Sequence, residues 1–271
     1  MPNDFDPSKY LLLNPDVADA KVDPSEHFLM YGKYENREYK YSNDLENKKD
    51  LFHFTVDYQR HVRQLMKDND IDTAMRLAVG GSWDEMGSKL SKFVQEQGVS
   101  SGMDVLDFGC GSGRLAYALA KDVDLKSYVG LDIVKELLIY AEHKCPNNYK
   151  FLLNNSLSIP LKDTQFDFAF GFSIFTHLLQ TEIMLYSKEI FDLLKPGGIF
   201  IYSFMEMDFH WNIFERDYIT HKEYSRPYPT LNMFLDRNQV EIMAGKSGFT
   251  VEKFIEPQIL GQSAVVLKKP I

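Results

Sequence analysis

Val105-Leu-Asp-Phe-Gly-Cys-Gly-Ser-Gly-Arg-Leu115 decides how this 271-residue chain folds. Its first half continues a short apolar run from Met103 to Phe108, as a strand covered on both faces requires, and its second half is a glycine loop opening a helix. Glycine reaches positive φ without a side-chain clash, so a loop holding Gly109, Gly111 and Gly113 lets backbone come close to a ligand. A nicotinamide-binding fingerprint wants glycines at the first, third and sixth positions, the last for close helix packing. Counted from Gly109, the sixth position is Arg114, and the third glycine comes one residue earlier, at Gly113.

Outward from this stretch the chain alternates strands and helices. Apolar runs at Ser127 to Asp132, Tyr149 to Asn154, Phe166 to Phe172 and Gly198 to Phe204 are separated by helical stretches or long loops, which predicts parallel strands. Ile183, Tyr186, Ile190 and Leu193 mark one face of a helix that Lys195-Pro-Gly-Gly198 terminates. Phe249 to Glu256 and Ser263 to Lys268 follow each other too closely for a parallel crossover, so they predict an antiparallel hairpin. The fold expected is α/β, with a Rossmann-like, mostly parallel seven-stranded sheet ending in that hairpin.

Before the glycine loop, Leu51, Phe54, Tyr58, Val62 and Leu65 recur at helical spacing. Ser82-Trp-Asp-Glu85 has the pattern of a capping box, and Met86, Leu90, Phe93 and Val94 give the helix after it one apolar face. Further upstream, Asp6-Pro7 and Asp23-Pro24 each set an acceptor before a proline at a first helical position, predicting two short helices, one holding Tyr10 to Leu13 and one holding His27 to Tyr31 that stops at Gly32. Lys40 to Asp50 is polar and without apolar period. The expected division is a helical module at 1–42, a linker at 43–50 and a large domain at 51–271.

Composition narrows the function. The chain is 44% hydrophobic and 25% charged, with a formal net charge of −9, and no apolar stretch approaches the ~20 residues that span a bilayer. The acidic balance disfavours nucleic acid as a partner. Two cysteines support neither a disulfide framework nor a cysteine metal site, and the acidic, proline-bearing start does not read as a signal peptide. A cytoplasmic location is expected, with Cys110 a small filler of the glycine loop.

The stretch at Val105–Leu115, Val129-Gly-Leu-Asp132, Phe166-Asp-Phe-Ala-Phe170 and Leu194-Lys-Pro-Gly-Gly198 together resemble the motifs of class I S-adenosylmethionine-dependent methyltransferases, over roughly residues 80–268. The resemblance implies S-adenosylmethionine as cofactor and S-adenosylhomocysteine as its product. It implies cofactor contacts from Asp107, Gly109, Cys110, Gly111, Gly113, Asp132, Ile133 and Phe172. Asp132 would accept from the ribose hydroxyls, or else cap the following helix. Asn155 and Ser156 fall where the family has an acidic and a small residue near the adenine, with Asn155 a departure whose amide oxygen still accepts. Asp107 would order the loop or meet the methionine amino group.

Methyl transfer from a sulfonium needs alignment more than a nucleophile, and a hydroxyl acceptor is helped by a base. His177, in Gly171-Phe-Ser-Ile-Phe-Thr-His-Leu178 past the fourth strand, is the candidate base; the alternative is that Thr176-His177 caps the next helix. Glu206, Asp208, His210, Trp211, His221, Tyr224 and Arg226 crowd a stretch from Met207 to Pro229 that reads as a long loop, a candidate lid or substrate wall. His210, Trp211, Tyr224 and Arg226, with Trp83, are the candidate acceptor contacts. The spacing matches no recognised metal-ligand pattern, and no metal is expected.

Residues 5–39, with Asp6-Pro-Ser-Lys-Tyr-Leu-Leu-Leu-Asn-Pro-Asp-Val17 and Asp23-Pro-Ser-Glu-His-Phe-Leu-Met-Tyr-Gly32, resemble a helical module found in bacterial glycan-assembly proteins, often beside glycosyltransferase domains. That resemblance implies a bacterial enzyme of polysaccharide biosynthesis acting on a glycan or sugar hydroxyl, with a glycosyltransferase as partner. Another small-molecule or protein acceptor, or a noncatalytic cofactor-binding module, remains the alternative.

Overall fold

The computed structural model describes residues 1–2, 5–35, 37–39, 53–162, 164–224 and 231–271. The linker expected at 43–50 lies outside the described residues, as does Arg226. Strands β1 (Asp104–Phe108), β2 (Ser127–Asp132), β3 (Tyr149–Leu153), β4 (Phe166–Gly171), β5 (Leu194–Phe204), β6 (Thr250–Ile255) and β7 (Ser263–Lys268) form one sheet in the order β3-β2-β1-β4-β5-β7-β6. The pairs among β1 to β5 are parallel, and β7 runs antiparallel between β5 and β6. The expected seven-stranded sheet with its terminal hairpin is therefore present.

Helices cover both faces, and the strand sequences sort themselves between them with period two. Leu106, Val129, Ala169, Phe200 and Leu267 pack on one side with α9 (Gln180–Leu193) and α11 (Arg237–Ser247). Their neighbours Val105, Tyr128, Phe168, Ile201 and Val266 pack on the other, with α6 (Trp83–Glu96), α7 (Arg114–Leu119) and α8 (Lys135–Lys144). Strand order reverses between β1 and β4, and at such a switch point the carboxyl ends of the strands open a crevice. The glycine loop leaves β1 there.

A third cluster joins the amino-terminal helices to the sheet domain. Leu12 of α1 (Pro7–Leu13), Val62 and Met66 of α4 (His53–Asp68), Met75 of α5 (Ile71–Ala78), Trp83, and Leu137 and Tyr140 of α8 pack together. Asp6 accepts from Ser8 and Lys9 N–H, and Asp23 from Glu26 N–H at the start of α3 (Pro24–His27), as the proline signatures predicted. Asn14-Pro15 opens a further short helix, α2 (Pro15–Asp19). Tyr10, Val17 and Phe28 make a small core of their own. Among the described residues no helix is long and apolar enough to cross a membrane.

Two local expectations are corrected. Helix α6 does begin after Ser82, but Ser82 is left-handed (φ 39°, ψ 41°) and its hydroxyl caps nothing. The positive-φ run Gly80-Gly81-Ser82 turns the chain too tightly for the extended backbone a capping box requires. The stretch after β5 is not a long loop: Met207–Tyr224 is helix α10, kinked at His210. Its Phe209, Trp211 and Tyr218 are 46%, 53% and 57% exposed, so its apolar residues form no single buried stripe and the helical period is hidden.

Candidate functional site

The glycine loop is held by hydrogen bonds from its own N–H groups. Gly109 and Cys110 N–H donate to the Leu131 carbonyl at 2.8 and 2.9 Å, and Gly111 N–H donates to Asp132 Oδ2 at 2.9 Å. Asp132 Oδ1 accepts from Val134 N–H at 3.0 Å. The carboxylate at the end of β2 therefore ties the loop to the turn before α8 rather than acting as the N-cap, which is Val134. Each oxygen has accepted one bond and retains capacity for another. Gly111 has φ +57°, and a Cβ there would stand 2.6 Å from Val79 Cγ1. Gly113 faces away: its missing Cβ makes room for Ala141 on α8, 2.8 Å distant.

Above the loop lies a cavity of about 600 Å³, within the ~300–1,000 Å³ that small-molecule sites occupy. Of the expected cofactor contacts, Asp107, Gly109, Cys110, Gly111, Asp132, Ile133 and Phe172 line it, and so does His177. Gly113, Asn155 and Ser156 do not. Gly113 is committed to helix packing, and Asn155 and Ser156 are exposed beyond the end of β3. The residue facing the cavity there is Asn154, buried, whose N–H donates to the Asp132 carbonyl at 2.8 Å. The one-residue offset follows from the pleat, which alternates the side chains leaving a strand.

The expected acceptor contacts are not gathered at this cavity. Trp83 is buried against Tyr117 and Tyr140, and its indole N–H donates to Ser112 Oγ at 2.9 Å, supporting the glycine loop from behind. His210 is buried, with Nδ1 3.0 Å from the Glu206 carbonyl and Nε2 3.0 Å from the Gly261 carbonyl, so it links α10 to the β6–β7 turn. Trp211 packs against Phe214 with the rings tilted, at the exposed face of α10. Tyr224 ends that helix, and its side chain, like Arg226, lies outside the described residues. Glu206 is occupied by Arg237 at 2.9 Å and by the Ser263 hydroxyl. Among the described residues no group of three His, Cys, Asp or Glu side chains is placed to hold a metal ion.

The electrostatics of the cavity are set by burial. Asp107 is pushed up to about 7 by desolvation, opposed by the Tyr128 hydroxyl that donates to its Oδ2. Burial raises Asp132 to about 6, opposed by the N–H groups it accepts from. The Cys110 thiol is pushed well up, so it stays protonated and unreactive. His177 Nδ1 lies 2.7 Å from the Leu231 carbonyl. A carbonyl only accepts, so Nδ1 carries the hydrogen and Nε2 keeps its lone pair. Burial pulls the imidazole below its ordinary value, which keeps it neutral near pH 7. The next helix needs no cap from His177, since Glu182 accepts from Leu179 N–H at 2.8 Å.

Tyr58 and His61 of α4, Arg114, Asn154, Tyr186 and Leu231 line the same cavity and were not anticipated as contacts. Tyr58 and His61 carried a signal, being polar-tipped residues three apart on an otherwise apolar helical face; Leu231 carried none. An apolar wall of Leu131, Ile133 and Leu178 beside a carboxylate with spare acceptor capacity suits a flat base joined to a ribose. The residues present fit an adenosine-bearing cofactor.

Residues 105–198 match the family model described as a methyltransferase domain. The chain is 33% identical over 144 residues to a sterol 24-C-methyltransferase of Gibberella zeae, covering 51% of this chain and 37% of that protein. It is 30% identical over 194 residues to the 2-phytyl-1,4-naphtoquinone methyltransferase of a Nostoc species, covering 62% of this chain and 79% of that protein. It spans between about a third and a half of the first curated relatives that it matches. The crystal structure of magnesium protoporphyrin IX methyltransferase from Synechocystis, with bound SAH, shares its fold. The TM-score is 0.52 at 16% identity, over 90% of this chain and 97% of that one.

Proposed function

This chain belongs to the family of S-adenosylmethionine-dependent methyltransferases, and on that premise we propose that it transfers the cofactor's methyl group to a hydroxyl of a glycan or sugar precursor. The observation that carries the transfer itself is the placement of Asp107 and Asp132 at the carboxyl ends of neighbouring strands, facing one cavity with His177. Bound S-adenosylmethionine supplies a methyl carbon on a positively charged sulfur. Asp132 would accept from the ribose hydroxyls while the bonds it accepts from Gly111 and Val134 N–H hold the glycine loop to β2. Ile133 and Leu131 would flank the adenine, and Asp107 would meet the methionine ammonium.

His177 takes the proton. Nε2 would accept the hydroxyl proton as the acceptor oxygen is methylated, the cofactor leaving as its neutral thioether. The Leu231 carbonyl aids this by holding the ring hydrogen on Nδ1. Phe172 and Ile174 exclude water from the cavity wall.

The sugar acceptor rests on residues 5–39, whose likeness to a helical module of bacterial glycan-assembly proteins also supplies the partner, a glycosyltransferase; the cytoplasmic location is read instead from the sparse cysteines. The division at 1–42, 43–50 and 51–271 belongs to the same reading. A second reading has its own observation: Phe172, Ile174, Leu178 and Leu231 make much of the cavity apolar, which suits a ring acceptor such as those in the names of the sterol and naphthoquinone relatives.

The test is methyl transfer from labelled cofactor to nucleotide sugars and oligosaccharides, set beside apolar phenols and quinols. Labelled sugar is the expected product. Label in the phenols alone would overturn the sugar reading, and calorimetry showing no affinity for S-adenosylhomocysteine would overturn the cofactor reading beneath it.

A further inference from the structure

Helix α10 packs on the domain with one face and leaves another bare. The inward face is spent. His210 Nε2 lies 3.0 Å from the Gly261 carbonyl, Phe214 meets the Phe234 ring edge-on with centroids 5.8 Å apart, and Asp217 Oδ2 accepts from Asn232 Nδ2 at 2.8 Å. At 3.6 residues per turn, Met207, Trp211 and Tyr218 fall within about 40° of one another on a different side. They are 41%, 53% and 57% exposed. A tryptophan and a tyrosine two turns apart on a bare face are the residue types that carry protein contacts. Trp211 is also held in place, its ring lying 5.2 Å from that of Phe214.

The charges beside this stripe are of opposite sign at its two ends. Asp208 stands in the first turn, His221 and Lys222 in the last. All three are exposed, and none has a hydrogen-bond or ion-pair partner among the described residues. A second α10 laid antiparallel, with a two-fold axis crossing between Phe214 and Glu215, sets Trp211 of each copy against Tyr218 of the other. The same register brings each Asp208 beside the other copy's His221 and Lys222. One geometry satisfies stripe and ends together, as a self-complementary two-fold contact requires. It also sets the positive end of each helix dipole beside the negative end of the other. A lipid surface fits less well, because a helix lying in one carries a basic polar flank. Here Asp208, Glu215, Asp217 and Glu223 stand against Arg216 and Lys222, in a chain of net charge −9.

We infer that the outward face of α10 is the contact between two copies of this chain, paired antiparallel about a two-fold axis. The Trp211–Tyr218 pair is made twice at its centre, and Asp208 meets His221 and Lys222 at each end. The contact depends on neither the acceptor nor the cofactor. The aromatic rings supply the area removed from water. The end charges set the direction, since a parallel pair would lay Asp208 on Asp208 and Lys222 on Lys222. One helix face is small beside the about 800 Å² per partner of a standard interface, so a dissociation constant of about 1–50 µM is expected.

Sedimentation velocity of the full chain from about 1 to 200 µM tests this. A species of twice the chain mass is expected to grow with concentration. Trp211→Glu is expected to raise the dissociation constant at least about tenfold, with the far-ultraviolet circular dichroism unchanged, since the side chain is exposed and lies outside the cavity. Asp208→Lys is expected to weaken the pair by about three- to tenfold, and Lys222→Asp added to the same chain to recover most of that loss. A chain that stays monomeric up to about 200 µM overturns the inference. So does a dimer that Trp211→Glu leaves within about twofold of native, which places the contact elsewhere. A charge swap that recovers nothing overturns the antiparallel register and the inference with it. If Trp211→Glu does not fold, Tyr218→Glu replaces it and decides in the same way.

Discussion

His177 and Asp107 show how burial tunes single groups here. Since Nδ1 is spent on Leu231, His177→Ala is expected to slow single-turnover transfer to a hydroxyl by about 10²- to 10⁴-fold. S-adenosylhomocysteine affinity should stay native, because the ring touches the acceptor side. Undiminished transfer would remove His177 as the base. Burial depresses its pKa, so the acid limb of the rate profile is expected below the free imidazole value of about 6.5. Asp107 works the other way. Its carboxyl is raised from the ordinary 3.8 to about 7, so between those values the native state holds a proton that the unfolded chain has lost. The stability tied to that proton is complete below the unfolded value and declines as pH rises through about 7. Asp107→Asn is expected to stabilise the ligand-free protein at pH 8 by up to about 4 kcal/mol, with no gain at pH 4, while weakening S-adenosylhomocysteine binding. Denaturant unfolding at the two pH values checks this, and an equal effect at both would disprove the linkage.

Individual elements differed in how plainly their sequences announced them. Asp6-Pro7 and Asp23-Pro24 carried a local signal, a side-chain acceptor within reach of the next N–H groups, and it was realised. Ser82 carried the same signal and failed, because the two glycines before it lead the chain into a left-handed turn that Ser82 continues. Helix α10 was missed because its apolar residues are spread around the helix and several remain exposed. The amino-terminal helices are joined to the domain chiefly through Leu12 of α1, which is 6% exposed and packs in the cluster with Leu137 and Tyr140 of α8. An exposed ion pair between Lys135 and Glu38, at 3.0 Å, adds little. Leu12→Ala is expected to cost about 2–3 kcal/mol of unfolding free energy and to leave S-adenosylhomocysteine affinity native. A change below about 0.5 kcal/mol would mean that α1 is not anchored there.

Across the whole molecule, the crevice exists because strand order reverses between β1 and β4, leaving the loop after β1 uncovered at the carboxyl end of the sheet. Around it, α4 contributes Tyr58 and His61, β2 contributes Asp132, and Leu231 holds His177 from 54 residues away. The strands, their parallel run, the closing hairpin, the glycine loop and the carboxylate of Asp132 are legible in the order of residues alone. These are local matters of apolar period, glycine spacing and connection length, which a chain carries wherever it is read. Packing between distant elements is what turns Asn154 rather than Asn155 to the cavity, commits Gly113 to α8, and makes Trp83 and His210 internal supports. It also brought Arg114 and Asp107 to one cavity. Exposure, pairing and desolvation belong to the space between elements, which is set by how distant segments pack.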